Sequence, residues 1–178
     1  MNAEVPYARL SPDTILAAAE SVGFECNGSI IALASYENRV YQLGTPTGFI
    51  VAKFYRPARW TDAAILEEHA FAAELHSQEI PVVPPLAVAG RTLHEHAGYR
   101  FALFDRRGGR WPELATPDER VFMGRVIGRI HAVGALTPFQ HRATLSIETL
   151  GWQSVETLQQ SGFIPAHLGE SYMSIATD

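Results

Sequence analysis

The sequence predicts an α+β protein, in which an antiparallel sheet of about five strands carries one helix inserted after the third strand and is followed by a helical region. Three observations predict this fold class. Residues 24–55 hold three short apolar or alternating segments separated by turn sequences, which is typical of antiparallel strands joined in series. A helical pattern follows at residues 61–78, before further strand-like segments. Beyond residue 113 the patterns are helical.

Composition and charge narrow the class of protein. With 178 residues, 47% hydrophobic and 19% charged, the chain can fill a core and does not resemble a disordered sequence. A net charge of −5 without a basic block argues against a broad nucleic-acid-binding surface. Cys26 is the only cysteine, which favours a reducing compartment, and neither a secretory signal nor an apolar run of about 20 residues is visible. We therefore expect a cytoplasmic protein with neither membrane nor nucleic acid as a partner.

Capping residues and periodicity place the elements in order. Ser11 is predicted to cap a first helix that begins at Pro12. Three strands are predicted at residues 24–34, 37–44 and 49–55. The inserted helix over 61–78 begins at Thr61 or Asp62. Strands in hairpin order are predicted between residues 86 and 105.

A change of composition predicts the domain organisation. The stretch "DRRGGRWPE" replaces apolar alternation with glycine and charge, so we expect a first domain at residues 1–105, a linker at 106–113 and a helical domain at 114–178. Helices are predicted at 116–134, near 147–160 and from 165 onwards. No helix-stop signal precedes Asp178, which leads us to expect that the helical domain continues beyond it.

Lys53 is unusual because it is the only lysine, while the other 13 basic residues are arginine. It lies within the apolar segment "FIVAKFY", where an unpaired buried charge would be very costly. Alternation gives this strand two faces, one with Val51, Lys53 and Tyr55 and the other with Ile50, Ala52 and Phe54. Two interpretations stay open at this point: an edge-strand lysine that reaches solvent, or a lysine paired with an acid.

Glu68 is the candidate partner. Its neighbours on the helix surface are all apolar, namely Ile65, Phe71, Ala72 and Leu75. Glu67 lies about 100° around the helix and is predicted to face solvent. A strand lysine oriented by a helix glutamate can bridge the first two phosphates of ATP, although the spacing alone does not prove this use.

The turn that would cover those phosphates has an uncommon composition. In many kinases this turn is rich in glycine, whereas "ALASYENRVYQL" contains none. Ser35 and Asn38 can hydrogen-bond phosphate oxygens or shape the turn through their own backbone. On composition alone, an ordinary hairpin turn is favoured.

Five segments carry a specific pattern: "SYENRVYQ", "VAKFYRPARWT", "ILEEHAFA", "IPVVPP" and "GRVIGRIHAVG". Together they closely resemble the stress response kinase A family of bacterial serine/threonine protein kinases. The resemblance implies an aminoglycoside-phosphotransferase-like, protein-kinase-like fold. Residues 1–105 would then be the nucleotide-binding small lobe, 106–113 the hinge, and 114–178 the first helices of an incomplete α-helical large lobe. The chain would correspond to the N-terminal half of the family.

The resemblance also implies site residues. Lys53 matches the lysine that contacts ATP, and Glu68 the glutamate that pairs with it. Ser35 falls at the phosphate-loop serine, with Tyr36, Glu37 and Asn38 beside it. Phe104 and Asp105 would lie near the adenine.

The implied reaction transfers the γ-phosphate of ATP to a serine or threonine hydroxyl of a protein substrate, with Mg²⁺, in a protein that is monomeric at full length. The family's His-Gly-Asp-x-His-x-x-x-Asn loop and magnesium-binding aspartate have no match among the five aspartates of this chain. We therefore expect neither catalytic residues nor metal ligands within it, Mg²⁺ ligands beyond Asp178, and no activity of the chain alone. Two alternatives are a kinase of an aminoglycoside, choline or homoserine-like small molecule, and a non-catalytic regulatory fragment.

Histidines offer little further signal. The "HEH" stretch at 94–96 is predicted to be a solvated turn and not a metal site. His131 is predicted to pack in the core.

Overall fold

The computed structural model describes residues 6–109 and 111–177. The chain divides into two compact units, Met1–His141 and Arg142–Asp178. The predicted linker at 106–113 falls within the first unit, and its role as a domain boundary stays a prediction. Arg110 of this linker lies outside the described residues.

A five-stranded sheet dominates the first unit. Its strands are β1 (Ile30–Leu33), β2 (Arg39–Thr45), β3 (Gly48–Phe54), β4 (His94–His96) and β5 (Tyr99–Asp105). Their spatial order is β1-β2-β3-β5-β4, and every neighbouring pair is antiparallel. The predicted antiparallel sheet is therefore confirmed, and β3, which carries Lys53, is its central strand.

The first strand is shorter than predicted, because the chain before it follows a different path. Asn27 donates its backbone N–H to the Gly44 carbonyl at 3.0 Å, and its side-chain Oδ1 occupies the space that a Cβ of residue 44 would need. Glycine at position 44 thus makes room for this crossing, and regular pairing starts only at Ile30.

Three helices in the described part of the first unit begin where their caps predict. Ser11 Oγ accepts from Thr14 N before α1 (Pro12–Glu20), and Thr61 Oγ1 accepts from Ala64 N before α2 (Asp62–Ser77). Thr116 and Glu119 form a reciprocal capping box at the start of α3 (Pro117–Gly134). A polar side chain satisfies a free backbone N–H in each case, which sets the first residue of the helix.

The second unit contains short helices. A π-helical turn (Glu148–Trp152) leads into α4 (Gln153–Ser161), which ends at Gly162 in the left-handed conformation with φ 70°. A 3-10 turn (Ala166–Leu168) precedes α5 (Gly169–Thr177). Among the described residues of this unit, no side chain is buried.

The two faces of the sheet bury different clusters. One face packs against α1 and contains Ile15, Ala18, Ala19, Leu43, Ile50, Ala52, Phe54, Tyr99, Phe101 and Leu103. The other face packs against α2 and contains Tyr55, Ile65, Leu93 and Ala102. Strand β3 contributes alternate residues to both faces, as its sequence predicts.

The predicted turn at residues 94–96 and the predicted core packing of His131 are both wrong. The "HEH" stretch forms strand β4 instead of a turn, and His94 is buried with its ring centroid 5.5 Å from that of Phe101. His131 is exposed, because α3 has no buried residue along its described length. In the described part of the chain, no group of three or more His, Cys, Asp and Glu side chains is arranged to hold a metal ion.

Hydropathy and length together rule out a membrane-crossing helix within residues 6–109 and 111–177.

We predict that Phe101→Ala lowers the free energy of unfolding by about 3–5 kcal/mol, because it opens a cavity in the middle of the sheet. Phe101 is fully buried and stacks on Phe54 with ring centroids 5.5 Å apart. Urea denaturation followed by circular dichroism measures the change. Tyr36→Ala, at a fully exposed position, is the matched control and is expected to change stability by less than about 0.5 kcal/mol. Similar losses in both variants would contradict the assigned core.

Candidate functional site

A cavity of about 410 Å³ lies between the α2-facing side of the sheet and α2. Its lining is mostly apolar and includes a few charged and polar groups. The lining residues are Val40, Val51, Lys53, Glu68, His69, Ala72, Val83, Pro85, Phe104, Asp105 and Arg107. Four of the eight predicted site residues are in this lining. The other four belong to the turn between β1 and β2.

Lys53 and Glu68 form the predicted pair. The Lys53 Nζ donates to the Glu68 Oε1 at 2.8 Å, and the two side chains are 21% and 36% exposed. The interpretation of Lys53 as an edge-strand residue is wrong, because β3 has a paired strand on each side. Partial burial leaves both groups accessible from the cavity while reducing the screening of their attraction by water.

An aromatic ring holds the ammonium from another side. Lys53 Nζ lies 4.8 Å from the centroid of the Tyr55 ring, within the range of a cation–π interaction. Tyr55 directly follows β3 and lies two residues after Lys53, so the alternation of the extended chain places the ring on the same side. The ammonium position is therefore set by a carboxylate on a helix and by a ring just beyond the end of its own strand.

A buried hydrogen-bond chain continues from that ring. The Tyr55 hydroxyl lies 2.6 Å from His69 Nε2, and His69 Nδ1 lies 2.8 Å from Thr92 Oγ1. The pKa of His69 is lowered to about 4, mainly by burial; Glu68 opposes this shift, and Lys53 and His94 contribute to it. His69 is therefore neutral near pH 7. Sequence reasoning missed it, because its partner Thr92 is 23 residues away and no local pattern joins them.

The prediction that Glu67 only faces solvent is wrong. One of its carboxylate oxygens accepts the backbone N–H of Gln140, and the other accepts that of His141 at 2.9 Å. Nearby, Phe71 packs edge-on against Phe139 with ring centroids 5.2 Å apart. Helix α2 thus directs consecutive carboxylates in two directions, one into the cavity and one to the segment after α3.

Phe104 and Asp105 lie at the end of β5 beside the cavity. Phe104 is paired with Val51 of β3 and forms an isolated bridge with Pro85 on its other side. The Asp105 carboxylate accepts from Arg107 Nη2 at 3.2 Å. The predicted adenine-side residues therefore sit on the same strand ladder as Lys53, since Ala102 of β5 is the partner of Lys53.

The turn between β1 and β2 is tied to the protein by two of its residues. Glu37 accepts from Arg59 Nε at 2.8 Å and from Trp60 Nε1 at 2.7 Å. Asn38 Oδ1 accepts the backbone N–H of Arg56 at 3.3 Å. Ser35 and Tyr36 are exposed.

The Glu37 carboxylate is kept ionised by its partners. The Arg59 hydrogen bond is the largest contribution and lowers the pKa of Glu37, with Trp60 and Arg56 acting in the same direction and burial opposing them. The sequence signal for this contact is the "RPARW" stretch, which begins two residues after β3 and carries no local pattern that predicts the contact.

A family comparison matches residues 29–162 of the chain to the model of a phosphotransferase enzyme family. The matched range includes the whole sheet, α2 and α3. It therefore covers well over half of the chain and every residue of the cavity lining.

Curated relatives carry kinase names. The chain is 38% identical over 178 residues to stress response kinase A of Escherichia coli K12, covering 99% of this chain and 54% of the relative. It is 37% identical to serine/threonine protein kinase RdoA of Salmonella typhimurium, covering 97% of this chain and 52% of that protein. The resemblance to the stress response kinase A family is confirmed, and the chain spans about half the length of the curated relatives it matches.

Among solved structures, the chain is similar to amicoumacin kinase hAmiN, described in complex with AMP-PNP, Ca²⁺ and Ami. The TM-score is 0.59 at 19% identity, over 85% of this chain and 48% of that one. At this identity the likeness establishes the fold alone. It confirms the predicted α+β, protein-kinase-like architecture.

We predict that His69→Gln reduces the pH dependence of stability between pH 7 and pH 5. A neutral buried His69 resists protonation down to about pH 4, whereas the unfolded chain takes up the proton near pH 6.5. The contribution of His69 to the free energy of unfolding is therefore fully present above pH 6.5. It decreases as the pH drops towards 4, by at most about 1.4 kcal/mol per pH unit for this one group.

Urea midpoints at pH 7 and pH 5 measure this loss in the unmodified protein and the variant. The contribution of His94, whose pKa is also lowered by burial, remains in both proteins and cancels in the comparison. An equal loss in both proteins would contradict a neutral, buried His69.

Proposed function

The chain belongs to the phosphotransferase enzyme family, and from that premise we propose that it forms the ATP-binding part of a kinase that phosphorylates serine or threonine hydroxyls of a protein substrate. The observation that carries this proposal is the Lys53–Glu68 pair in the wall of the 410 Å³ cavity. The kinase name of the relative at 38% identity supports a kinase, and the serine/threonine protein kinase name of the relative at 37% identity supports the protein acceptor.

In this proposal Lys53 neutralises charge on the first two phosphates of ATP. An ammonium is a compact charge that can lie between two phosphate oxygens, whereas an arginine would present a planar fork. The Glu68 carboxylate and the Tyr55 ring hold the ammonium before ATP arrives, so less conformational freedom is lost on binding. This explains why the one lysine of the chain stands in its central strand.

The remaining predicted residues are proposed to bracket the nucleotide. Phe104 and Asp105 line the cavity at the end of β5 and would adjoin the adenine. The turn at residues 35–38 would lie along the phosphates, with Ser35 and Tyr36 exposed towards solvent. A cavity with mostly apolar walls and a few placed polar groups is the usual form of a cofactor site.

Magnesium, which phosphoryl transfer from ATP ordinarily uses, does not fit the described side chains. Within residues 6–109 and 111–177, no three metal-binding side chains converge on one point, and Asp105 of the cavity wall is engaged with Arg107. We therefore assign to this chain the binding and orientation of ATP and derive no step through the metal.

We predict that Lys53→Met in the full-length protein weakens the binding of a non-hydrolysable ATP analogue by about tenfold or more, equivalent to about 1.4 kcal/mol. The variant removes the charge that faces the phosphates and keeps most of the side-chain volume. Isothermal titration calorimetry measures the affinity. Arg91→Met, an exposed cation outside the cavity lining, is the matched control and is expected to bind as the unmodified protein does. Unchanged binding by Lys53→Met would favour the non-catalytic alternative.

The acceptor is tested separately. We predict that the full-length protein transfers labelled phosphate from ATP to serine or threonine of a protein, detected by phosphoamino-acid analysis, and that Lys53→Met reduces the transfer by at least about tenfold. A mixture of small amino alcohols and aminoglycosides is the comparison acceptor. Labelling of that mixture with no labelled protein would contradict the proposed protein kinase and support the small-molecule alternative.

A further inference from the structure

The turn between β1 and β2 has no glycine, and yet its position is fixed by contacts with other segments. We call the side chains of Glu37, Arg59 and Trp60 the clamp. Both carboxylate oxygens of Glu37 are used, one by Arg59 Nε at 2.8 Å and one by Trp60 Nε1 at 2.7 Å. Two donors from adjacent residues therefore hold one carboxylate, which restrains it in both position and orientation.

The donors are themselves held in place. The Arg59 guanidinium lies 5.0 Å from the centroid of the Trp60 ring, in cation–π contact. Trp60 packs against the buried cluster that includes Tyr55 and Ile65. The clamp therefore connects the turn to the hydrophobic core on the α2 side of the sheet.

Backbone contacts reinforce the same turn from two other segments. Asn38 Oδ1 accepts the N–H of Arg56 at 3.3 Å. The Tyr7 hydroxyl lies within hydrogen-bond distance of the Glu37 carbonyl, at 3.1 Å, and of the Phe54 carbonyl, at 3.3 Å. These contacts come from the N-terminal segment and from the chain after β3, so they constrain the turn independently of the clamp.

Strand register places the turn next to the lysine. Leu33 of β1 pairs with Val40 of β2, and Val40 pairs with Lys53 of β3. The turn occupies the positions immediately beyond this row. The same clamp residues lead directly into Thr61, the cap of α2, which carries Glu68. One cluster thus fixes both the turn and the start of the helix that orients Lys53.

We propose that Glu37 is a positioning residue, whose carboxylate is held by Arg59 and Trp60 so that the turn from Ser35 to Asn38 is ordered over the phosphates before ATP binds. This inference rests on the proposed nucleotide function. A glycine-rich turn can bring its backbone close to phosphates but must be ordered on binding. Here the clamp replaces that flexibility with a preformed turn, which lowers the conformational entropy lost on binding.

The rival role for Glu37 is direct contact with the nucleotide or its metal. The two roles differ in what they require of Arg59 and Trp60. If Glu37 touched ATP directly, loss of its protein partners would leave a carboxylate still able to make that contact. If Glu37 positions the turn, removal of either partner reproduces part of the effect of removing Glu37.

The test compares Glu37→Ala, Arg59→Ala and Trp60→Phe in the full-length protein. Trp60→Phe keeps an aromatic ring in the core cluster and removes only the indole N–H donor. Calorimetry measures the dissociation constants for a non-hydrolysable ATP analogue and for adenosine, which has no phosphates. We expect the analogue to bind about five- to tenfold more weakly to each variant and adenosine to bind as before. The Glu37→Ala/Arg59→Ala double variant is expected to lose no more than Glu37→Ala alone.

The outcomes separate the two proposals. Analogue binding that is weakened by Lys53→Met and unchanged in Arg59→Ala and Trp60→Phe would overturn the positioning role and leave the nucleotide function standing. Equal losses for the analogue and adenosine would also overturn it, because they would indicate general damage to the fold. Absence of analogue binding by the unmodified protein would overturn the nucleotide function, and the positioning role with it.

Discussion

The ion pair between Lys53 and Glu68 is the contact on which the rest of the site depends, because it joins the sheet to the helix across the cavity. A charge on the central strand would be costly unless it were compensated. The 2.8 Å contact provides that compensation, while partial exposure leaves the ammonium accessible to a ligand. The ring of Tyr55 and the neutral His69 behind it complete the surroundings, and neither adds a second positive charge near the lysine. The site thus presents an accessible ammonium in a mainly apolar recess.

Around this pair, helix α2 has contacts in several directions. Ile65 is buried against the sheet, Glu68 points to Lys53, and Glu67 binds the backbone at Gln140 and His141. Arg59 and Trp60, just before the helix, donate hydrogen bonds to Glu37 of the β1–β2 turn. The orientation of α2 is consequently determined by its contacts with the sheet, with the turn and with the segment after α3, all within the first unit.

The pair itself could be predicted from the sequence because both of its members obey local periods. Lys53 follows the two-residue repeat of a strand, and Glu68 follows the apolar stripe of a helix. Helix starts were equally predictable, since each cap is satisfied within three residues. The roles of Glu67, His69 and Glu37 were not, because their partners lie 73, 23 and 22 residues away and depend on how the elements pack. His94 was misjudged for the same reason, since its burial depends on Phe101. Local patterns determine the elements here, and long-range packing determines which polar side chains meet.

The use of arginine at every basic position except residue 53 has a chemical consequence. The sequence contains one side-chain amine, that of Lys53, and it lies beside Glu68. Reagents that acylate amines do not react readily with guanidinium groups, so along this stretch of chain they have a single side-chain target. An acyl-phosphate derivative of a nucleotide would therefore leave its label at one position here, and the labelled peptide would identify the occupied cavity without any substitution. The composition thus makes Lys53, at the centre of the candidate site, a selective position for chemical labelling.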